Sequence, residues 1–476
     1  MKKVLSTVAA LGLVAGLAST ASAVEFKMSG KYLVEGTYMS SGNGAGIVAT
    51  EDATDHNPSD AYFMHTFEVK PTMVVNDKIS MNSVIRLADR TFWGNQTGGD
   101  VVGNNMAGNA GSNNLYVHRL YMDYASPIGN MRFGRTPAGD YGTSFMDFDQ
   151  RGDRVMLWPS FLASGPVTTL FYIQKSTDQR GTAASYSVNT TTGVVTPVAS
   201  NSTTYESDRD NTKYVARLYY KTDSLDSGIE YGNVDNKTAS GTGVTGIASD
   251  TKQNVTVYGK YKMDNYFANA ELTHYFGSVD LDTEDATHHN RDYDSWAGML
   301  QVGAKVDALT PSLLYVYAQG QKVTDSTTNG GDISNALGTT GTGDMFEPLY
   351  ILTGRHTGIL NNDVFNGSTA SASAAGVHAI VAAVDYAVSN QLSLHGAIGW
   401  AKADEKVYYD GVTLTAAKDD SYGWEYNVGA AYKLLDNLTY EAHFGYLDAG
   451  DYFNGDNATD ITKNVYILTH SLTMTF

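Results

Sequence analysis

Cysteine is absent from the 476 residues of this chain. Its absence excludes disulfide bonds as a source of stability, and it excludes thiolates as metal ligands or catalytic nucleophiles. Basic residues are scarce too, because 32 Lys and Arg stand against 51 Asp and Glu, which gives a net charge of −19. A chain this acidic lacks the positive surface that neutralises phosphates, so we expect no nucleic-acid partner.

Long apolar runs are missing from the body of the chain. The longest candidate, AAGVHAIVAAVDYAV, is interrupted by His378 and Asp385 and falls short of the roughly 18 residues that a membrane helix needs. The first 23 residues follow a different pattern, in which Lys2 and Lys3 precede a short apolar stretch that ends in Ala-Ser-Ala. This pattern predicts a cleaved signal peptide over residues 1–23 and an exported chain over residues 24–476.

The chain contains a strict apolar and polar alternation, most clearly at its end, NVYILTHSLTMTF. There the even positions from Tyr466 to Phe476 are mostly apolar, and the odd positions from Thr469 to Thr475 carry hydroxyls. Similar alternation recurs at 26–38, 255–263, 422–434 and 438–446. A soluble sandwich would also alternate, but aromatic residues at both ends of so many apolar faces favour strands that cross a membrane.

The connections between these segments alternate between short and long. The predicted short turns are at 76–78, 127–130, 162–165, 224–227, 264–265, 310–311, 389–390 and 436–437. Nine long polar stretches lie between them, which predicts an all-β transmembrane antiparallel barrel of about 18 strands with short periplasmic turns and long extracellular loops. A sixteen-strand barrel without weak strands near 154–177 or 311–324 is the alternative.

Three segments carry a resemblance to a known family: EFKMSGKYLVEGTYM after the signal, IGNMRFGRTPAGDYGTSFMDFDQRGD at 128–153, and the terminal Phe476. Together they resemble Gram-negative outer-membrane porins, and the chain is similar to the major porins of metal-reducing bacteria such as Geobacter. The resemblance implies a water-filled channel in the cell outer membrane, for passive diffusion of ions and small hydrophilic solutes. It also implies a homotrimer. We expect no cofactor and no enzymatic activity.

The resemblance also assigns roles to particular residues. In such porins the last strand carries a signal for the barrel-assembly machinery, here Phe476, Met474, Leu472 and Tyr466. The loop 137–153 would fold into the lumen as a constriction, with acids facing basic residues on the wall. The candidates are Asp140, Asp147, Asp149 and Asp153 opposite Lys31, Arg86, Arg119 and Arg132. The chain lacks the Pro-Glu-Phe-Gly-Gly tip of many porins, so a solvated surface loop is the alternative.

The polar face of each alternating strand is expected to point into the lumen, so the charged residues on that face predict the charges of the lumen. The basic residues on it are Lys27, Lys31, Lys70, Arg86, Arg119, Arg132, Lys213, Arg217, Lys260, Lys262, Lys305 and Lys433. The acidic ones are Glu35, Glu68, Asp123, Glu230, Glu271, Glu425 and Glu441. The wall is therefore mildly basic, and rings of charge in a narrow pore bias which ions pass. The excess acid lies in the outer loops, where it could meet the divalent cations that bridge lipopolysaccharide.

Two other function classes have weaker signals. Asp280, Asp282 and Glu284 cluster in one loop as weak metal candidates, but the Gly and Glu that a calcium-binding EF-hand needs at its sixth and twelfth positions are missing. No HExxH, GxSxG or P-loop motif occurs. An omptin-like protease remains an alternative, as do a substrate-selective channel and a porin sleeve for an electron-transfer partner.

Overall fold

The computed structural model describes most of the chain outside its N-terminus and the longer loops. The described residues are 24–40, 50–51, 59–93, 116–137, 141–145, 151–177, 186–188, 195–197, 210–237, 247–285, 289–322, 332–335, 346–353, 375–409, 414–416, 419–454, 461–462 and 464–476. The predicted signal peptide lies outside them. The described residues include no helix that is long and apolar enough to cross a membrane.

Eighteen long strands form one sheet. In chain order they are β1 (Glu25–Met39), β2 (Asp60–Asn76), β3 (Ile79–Phe92), β4 (Tyr116–Ser126), β5 (Gly129–Thr136), β6 (Gly152–Pro159), β7 (Val167–Thr177), β8 (Asn211–Lys221), β9 (Leu225–Asn236), β10 (Ile247–Met263), β11 (Tyr266–Leu281), β12 (Arg291–Ala304), β13 (Leu309–Ala318), β14 (Val377–Ala387), β15 (Leu392–Lys402), β16 (Ser421–Leu435), β17 (Leu438–Ala449) and β18 (Val465–Thr475).

The sheet closes into a barrel because β1 pairs with both β2 and β18, in registers that place Lys31 opposite Glu68 and opposite Thr475. All other neighbours pair antiparallel in chain order. Closure leaves no unpaired sheet edge, which is the condition for strands to cross a bilayer. The prediction of an all-β, eighteen-strand transmembrane barrel is confirmed, and the sixteen-strand alternative is wrong because β6, β7 and β13 all form.

Short connections lie at one end of the barrel and long ones at the other. The predicted turn at 310–311 is wrong, since Thr310 and Pro311 lie inside β13. The turn occurs just before it, where Val306 and Leu309 exchange two backbone hydrogen bonds of 2.8 and 2.9 Å. Asp307 has a φ of 53° there, a left-handed conformation that Asp tolerates better than most side chains, so the chain reverses at this residue.

The two faces of the barrel differ as the alternation predicts. On β18, Leu468 and Leu472 point outward with 47% and 37% of their surface exposed, whereas Thr469 and Ser471 point inward and are buried. Tyr466, Met474 and Phe476 share the outward face. The outward surface therefore suits lipid and the inward one suits water and polar contacts.

Single cysteines introduced on β17 would test this assignment, because the native chain has none. We expect Thr439→Cys and Glu441→Cys, which face the lumen, to react with a small water-soluble thiol reagent. Tyr440→Cys and Phe444→Cys replace outward residues that are 40% and 39% exposed on the barrel surface, so lipid should shield them. Mass spectrometry of the labelled protein gives the reacted fraction, and equal labelling on the two parities would contradict the strand assignment.

Candidate functional site

Basic side chains follow one side of the lumen from strand to strand. Their inward direction is shown by the buried residues with which they share a face of the sheet. Arg119, for example, lies opposite the buried Val84 of the adjacent strand. The inward-facing basic residues of this side are Arg86 on β3, Arg119 on β4, Arg132 on β5, Arg154 on β6, and Lys213 and Arg217 on β8. We call this surface, from β3 to β8, the arginine side.

Carboxylates neutralise part of the arginine side. Arg86 Nε donates to Glu68 at 2.9 Å and Arg86 Nη1 to Asp89 at 3.0 Å. Arg132 Nε donates to Asp123 at 2.6 Å, and its guanidinium lies 4.5 Å from the ring of Tyr121. These pairs hold the guanidinium groups at fixed positions on the wall while leaving part of each group open to the lumen.

Two further arginines are more deeply buried. Arg217 Nε donates to Glu230 at 2.6 Å, and the guanidinium lies 4.7 Å from the ring of Tyr141. Arg154 donates to Gln174 Oε1 at 2.8 Å and to the carbonyl oxygen of Thr136 at 2.6 Å. Within the described part of the chain, no carboxylate hydrogen-bonds Arg154. The arginine side thus keeps an excess of positive charge.

A first segment, residues 141–145 between β5 and β6, lies inside the barrel. The hydroxyl of Tyr141 donates to the carbonyl of Thr256 at 2.7 Å, and Lys260 donates to the carbonyl of Gly142 at 2.8 Å. Glu271 accepts the backbone N–H of Thr143 at 2.6 Å. These partners belong to β10 and β11, so the segment crosses the lumen. Burial raises the pKa of Tyr141 well above its ordinary value, which keeps the hydroxyl protonated as a donor.

A second segment, residues 346–353 between β13 and β14, also lies inside the barrel. The carboxylate of Glu425 on β16 is fully buried and accepts three consecutive backbone N–H groups, from Tyr350, Ile351 and Leu352, at 2.7, 2.8 and 2.7 Å. Three backbone donors converge on one buried acceptor, so a single side chain anchors the segment. The Tyr350 hydroxyl and His443 Nδ1 add a bond of 3.0 Å.

The two inward segments meet each other, since the rings of Phe145 and Phe346 lie 5.1 Å apart at an angle of 75°. Both rings belong to one apolar cluster, which also includes apolar residues on the inward face of β12 to β15. The wall residues that β12 to β15 contribute to this cluster are Ala297, Met299, Leu314, Val316, Ala318, Val377, Ala379, Val381 and Ala401. All are buried, so we call this part of the lumen the dry side.

The residues predicted for a constriction are distributed over different places. Arg86, Arg119, Arg132 and Lys31 all face the lumen. Asp140, Asp147 and Asp149 lie outside the described residues. Asp153 shares the outward parity of Val155, which is 50% exposed, and bonds Arg135 Nε at 3.1 Å on the outside of the barrel. The structure therefore does not bring Asp153 to the arginine side.

The alternation predicts that Glu271 and Glu425 face the lumen, but it does not predict that they anchor inward segments. Their bonding partners are 128 and 75 residues away in the chain, which no local pattern reveals. The weak metal candidates have other partners: Asp280 accepts from Ser249 at 2.8 Å, and Glu284 from the backbone of Asn290 at 2.7 Å. Among the described residues, no group of three or more His, Asp or Glu could hold a metal ion.

The family model of the Porin subfamily matches residues 177–473. Among solved structures, Pseudomonas aeruginosa OccK2 (OpdF) is similar over 95% of this chain and 98% of its own, at 10% identity and a TM-score of 0.50. A BenF-like porin from Pseudomonas fluorescens Pf-5 matches over 94% and 99% at 10% identity and a TM-score of 0.49. The outer membrane channel DcaP of Acinetobacter baumannii matches over 97% and 100% at 13% identity and 0.41. No curated protein matches the chain in sequence.

Proposed function

This chain belongs to the Porin subfamily, and from that premise we propose that ions and small hydrophilic solutes cross it along the arginine side. Membership makes the protein a channel for small solutes in the outer membrane of a Gram-negative bacterium. Family and fold together indicate a channel rather than an enzyme. The proposal concerns the route through the barrel and the charge of the solutes that prefer it.

The observation that carries the proposal is the division of the lumen into two unlike sides. On the dry side, apolar wall residues pack against Phe346 and its neighbours, so a hydrated ion would meet apolar surface at that cluster. On the arginine side, Arg154 is a buried cation that bonds only neutral groups among the described residues. A charge at the narrow part of a pore biases ion passage, so the arginine side should favour anions.

Paired substitutions on the arginine side test the route. In the double variant R86Q/R132Q, Glu68 and Asp123 keep their negative charge without a guanidinium partner, so we expect the reversal potential in a salt gradient to shift toward cations. Purified protein in a planar bilayer gives both the single-channel conductance and the reversal potential. The effect should be larger at low salt, because screening acts within about 8 Å at physiological ionic strength.

The matched control is R135Q, which removes a guanidinium from the outside of the barrel and leaves the lumen unchanged. It should not move the reversal potential. Equal shifts in R135Q and R86Q/R132Q would contradict the proposed route, and the absence of any conductance in the native protein would contradict the channel itself.

Several finer roles complete the proposal. Asp140, Asp147 and Asp149 flank the inward segment 141–145 in sequence, which supports a position for them near the constriction. If so, D147N/D149N should shift the reversal potential toward anions. The outward residues Tyr466, Leu472, Met474 and Phe476 would be read by the barrel-assembly machinery. Outer-loop acids would contact lipopolysaccharide through divalent cations, and three copies would form the assembled channel.

A further inference from the structure

Trp158 differs from the other tryptophans of the chain in the direction it faces. Of the five tryptophans, Trp93, Trp296 and Trp424 are 53%, 40% and 45% exposed on the outside of the barrel. Trp400 lies opposite Trp424 in the sheet and shares that outward face. Outward tryptophans anchor a barrel at the membrane interfaces. Trp158 instead shares the inward parity of the buried Arg154 and Met156, so anchoring does not account for it.

Trp158 lines a cavity of 920 Å³ at the end of the barrel that carries the short turns. The guanidinium of Arg132 lies over its ring at 5.6 Å and also over Tyr121, and the indole packs against the cluster of Met156, Leu170, Tyr172 and Val215. The cavity is within the range of about 300–1,000 Å³ that is typical of sites for small molecules. A solute that leaves the arginine side toward the short turns would therefore meet the part of the indole ring that borders the cavity.

The charges around this cavity balance each other. Arg132 is paired with Asp123 at 2.6 Å, and the turn beside them supplies Lys78 and Asp77, one charge of each sign. Asp123 also accepts from the side chain of Asn82 at 3.0 Å, so its oxygens are already bonded. The four charges that line the cavity sum to zero, so we assign recognition there to neutral groups rather than to net charge.

Neutral hydrogen-bonding side chains share the cavity with the indole ring. Ser80, Asn130 and Thr168 lie on the inward parities of β3, β5 and β7 and line it. An aromatic face offers a flat apolar surface, while hydroxyl and amide groups donate and accept hydrogen bonds. A sugar ring has the complementary surface, with C–H groups on its faces and hydroxyls around its edge.

We propose that this cavity binds neutral polyhydroxylated solutes of one or two sugar rings, stacked on Trp158. This inference rests on the proposed function, since the solute reaches the cavity through the channel. Binding in this cavity delays the solute at the short-turn end of the channel. Because the cavity can be filled, the flux of the solute saturates as its concentration rises. The arginine side would thus select by charge and the Trp158 cavity by shape.

The test is the ion current through single channels in a planar bilayer, with maltose added on the side of the short turns. We expect a saturable fall in conductance as the maltose concentration rises. W158A should raise the half-saturating maltose concentration about tenfold, because it removes the stacking surface and so weakens binding. W158F should keep most of the affinity. W424A removes an outward tryptophan and should leave the block by maltose unchanged.

Glucuronate and glucosamine separate shape from charge, because they present the same ring with a negative or a positive group. Stronger block by glucuronate than by glucose would mean that an anion site, not a neutral sugar site, occupies this end of the pore. Normal conductance without saturable block by maltose would overturn the inference while leaving the channel proposal intact. A protein that conducts no current would overturn both.

Discussion

Replacing Glu425 by glutamine should raise the single-channel conductance and make the current fluctuate. Glu425 accepts three backbone N–H groups of residues 350–352, and the amide of glutamine presents N–H groups where these donors need an acceptor. A buried donor left without an acceptor costs about 1–3 kcal/mol, so loss of this anchor should release the segment from the wall. Water could then enter the dry side intermittently.

Glu441→Gln is the matched control, because Glu441 faces the lumen from the neighbouring strand. Among the described residues, its side chain has a single hydrogen-bond partner, Ser471, at 3.5 Å. It makes the same change from carboxyl to amide without touching the inward segment, so it should move the reversal potential toward anions at unchanged conductance. If E425Q behaved in the same way as E441Q, Glu425 would act only as a pore charge and the anchoring account would be wrong.

Deleting Phe476 should lower the amount of folded, heat-modifiable protein in the outer membrane severalfold. Phe476 closes the barrel seam through two backbone hydrogen bonds with Gly30, of 2.9 and 3.1 Å. Two such bonds contribute only about 1–3 kcal/mol, which is too little to account for a severalfold loss of a protein with so extensive a sheet. A large loss would therefore indicate that the assembly machinery recognises the terminal residue.

Two measurements separate assembly from stability for this deletion. The yield in the outer membrane reports assembly, and denaturant unfolding of protein refolded in detergent reports stability. We expect the yield to fall strongly and the unfolding midpoint to change little, whereas Phe476→Tyr should keep the native yield. A normal yield after the deletion would argue against an assembly signal at this position.

The barrel could be predicted from the sequence because its strands face two different solvents. Lipid on one side and water on the other force an alternation that is visible over a few residues, as in Thr469 and Ser471 between Leu468 and Leu472. Turn positions were less certain, since Pro311 suggested a turn but lies on the strand, while the left-handed Asp307 forms it.

The interior could not be predicted in the same way, because the segments inside the barrel show no regular alternation of apolar and polar residues. Residues 346–353 sit in the lumen because of Glu425 and an apolar wall, and these partners come from distant strands. Asp153 illustrates the opposite failure. Its outward position follows from the parity of Arg154 and Val155 on β6, but the sequence pattern predicts a loop over 137–153, where parity does not apply.

The inward segments also have a mechanical consequence. A thin barrel wall resists stretching along its hydrogen bonds but flattens easily into an ellipse. Residues 141–145 bond to β10 and β11, residues 346–353 bond to β16, and the Phe145 and Phe346 rings join the two segments. They form struts across the cylinder, so lateral pressure from the membrane should deform the arginine side while the braced side keeps its curvature.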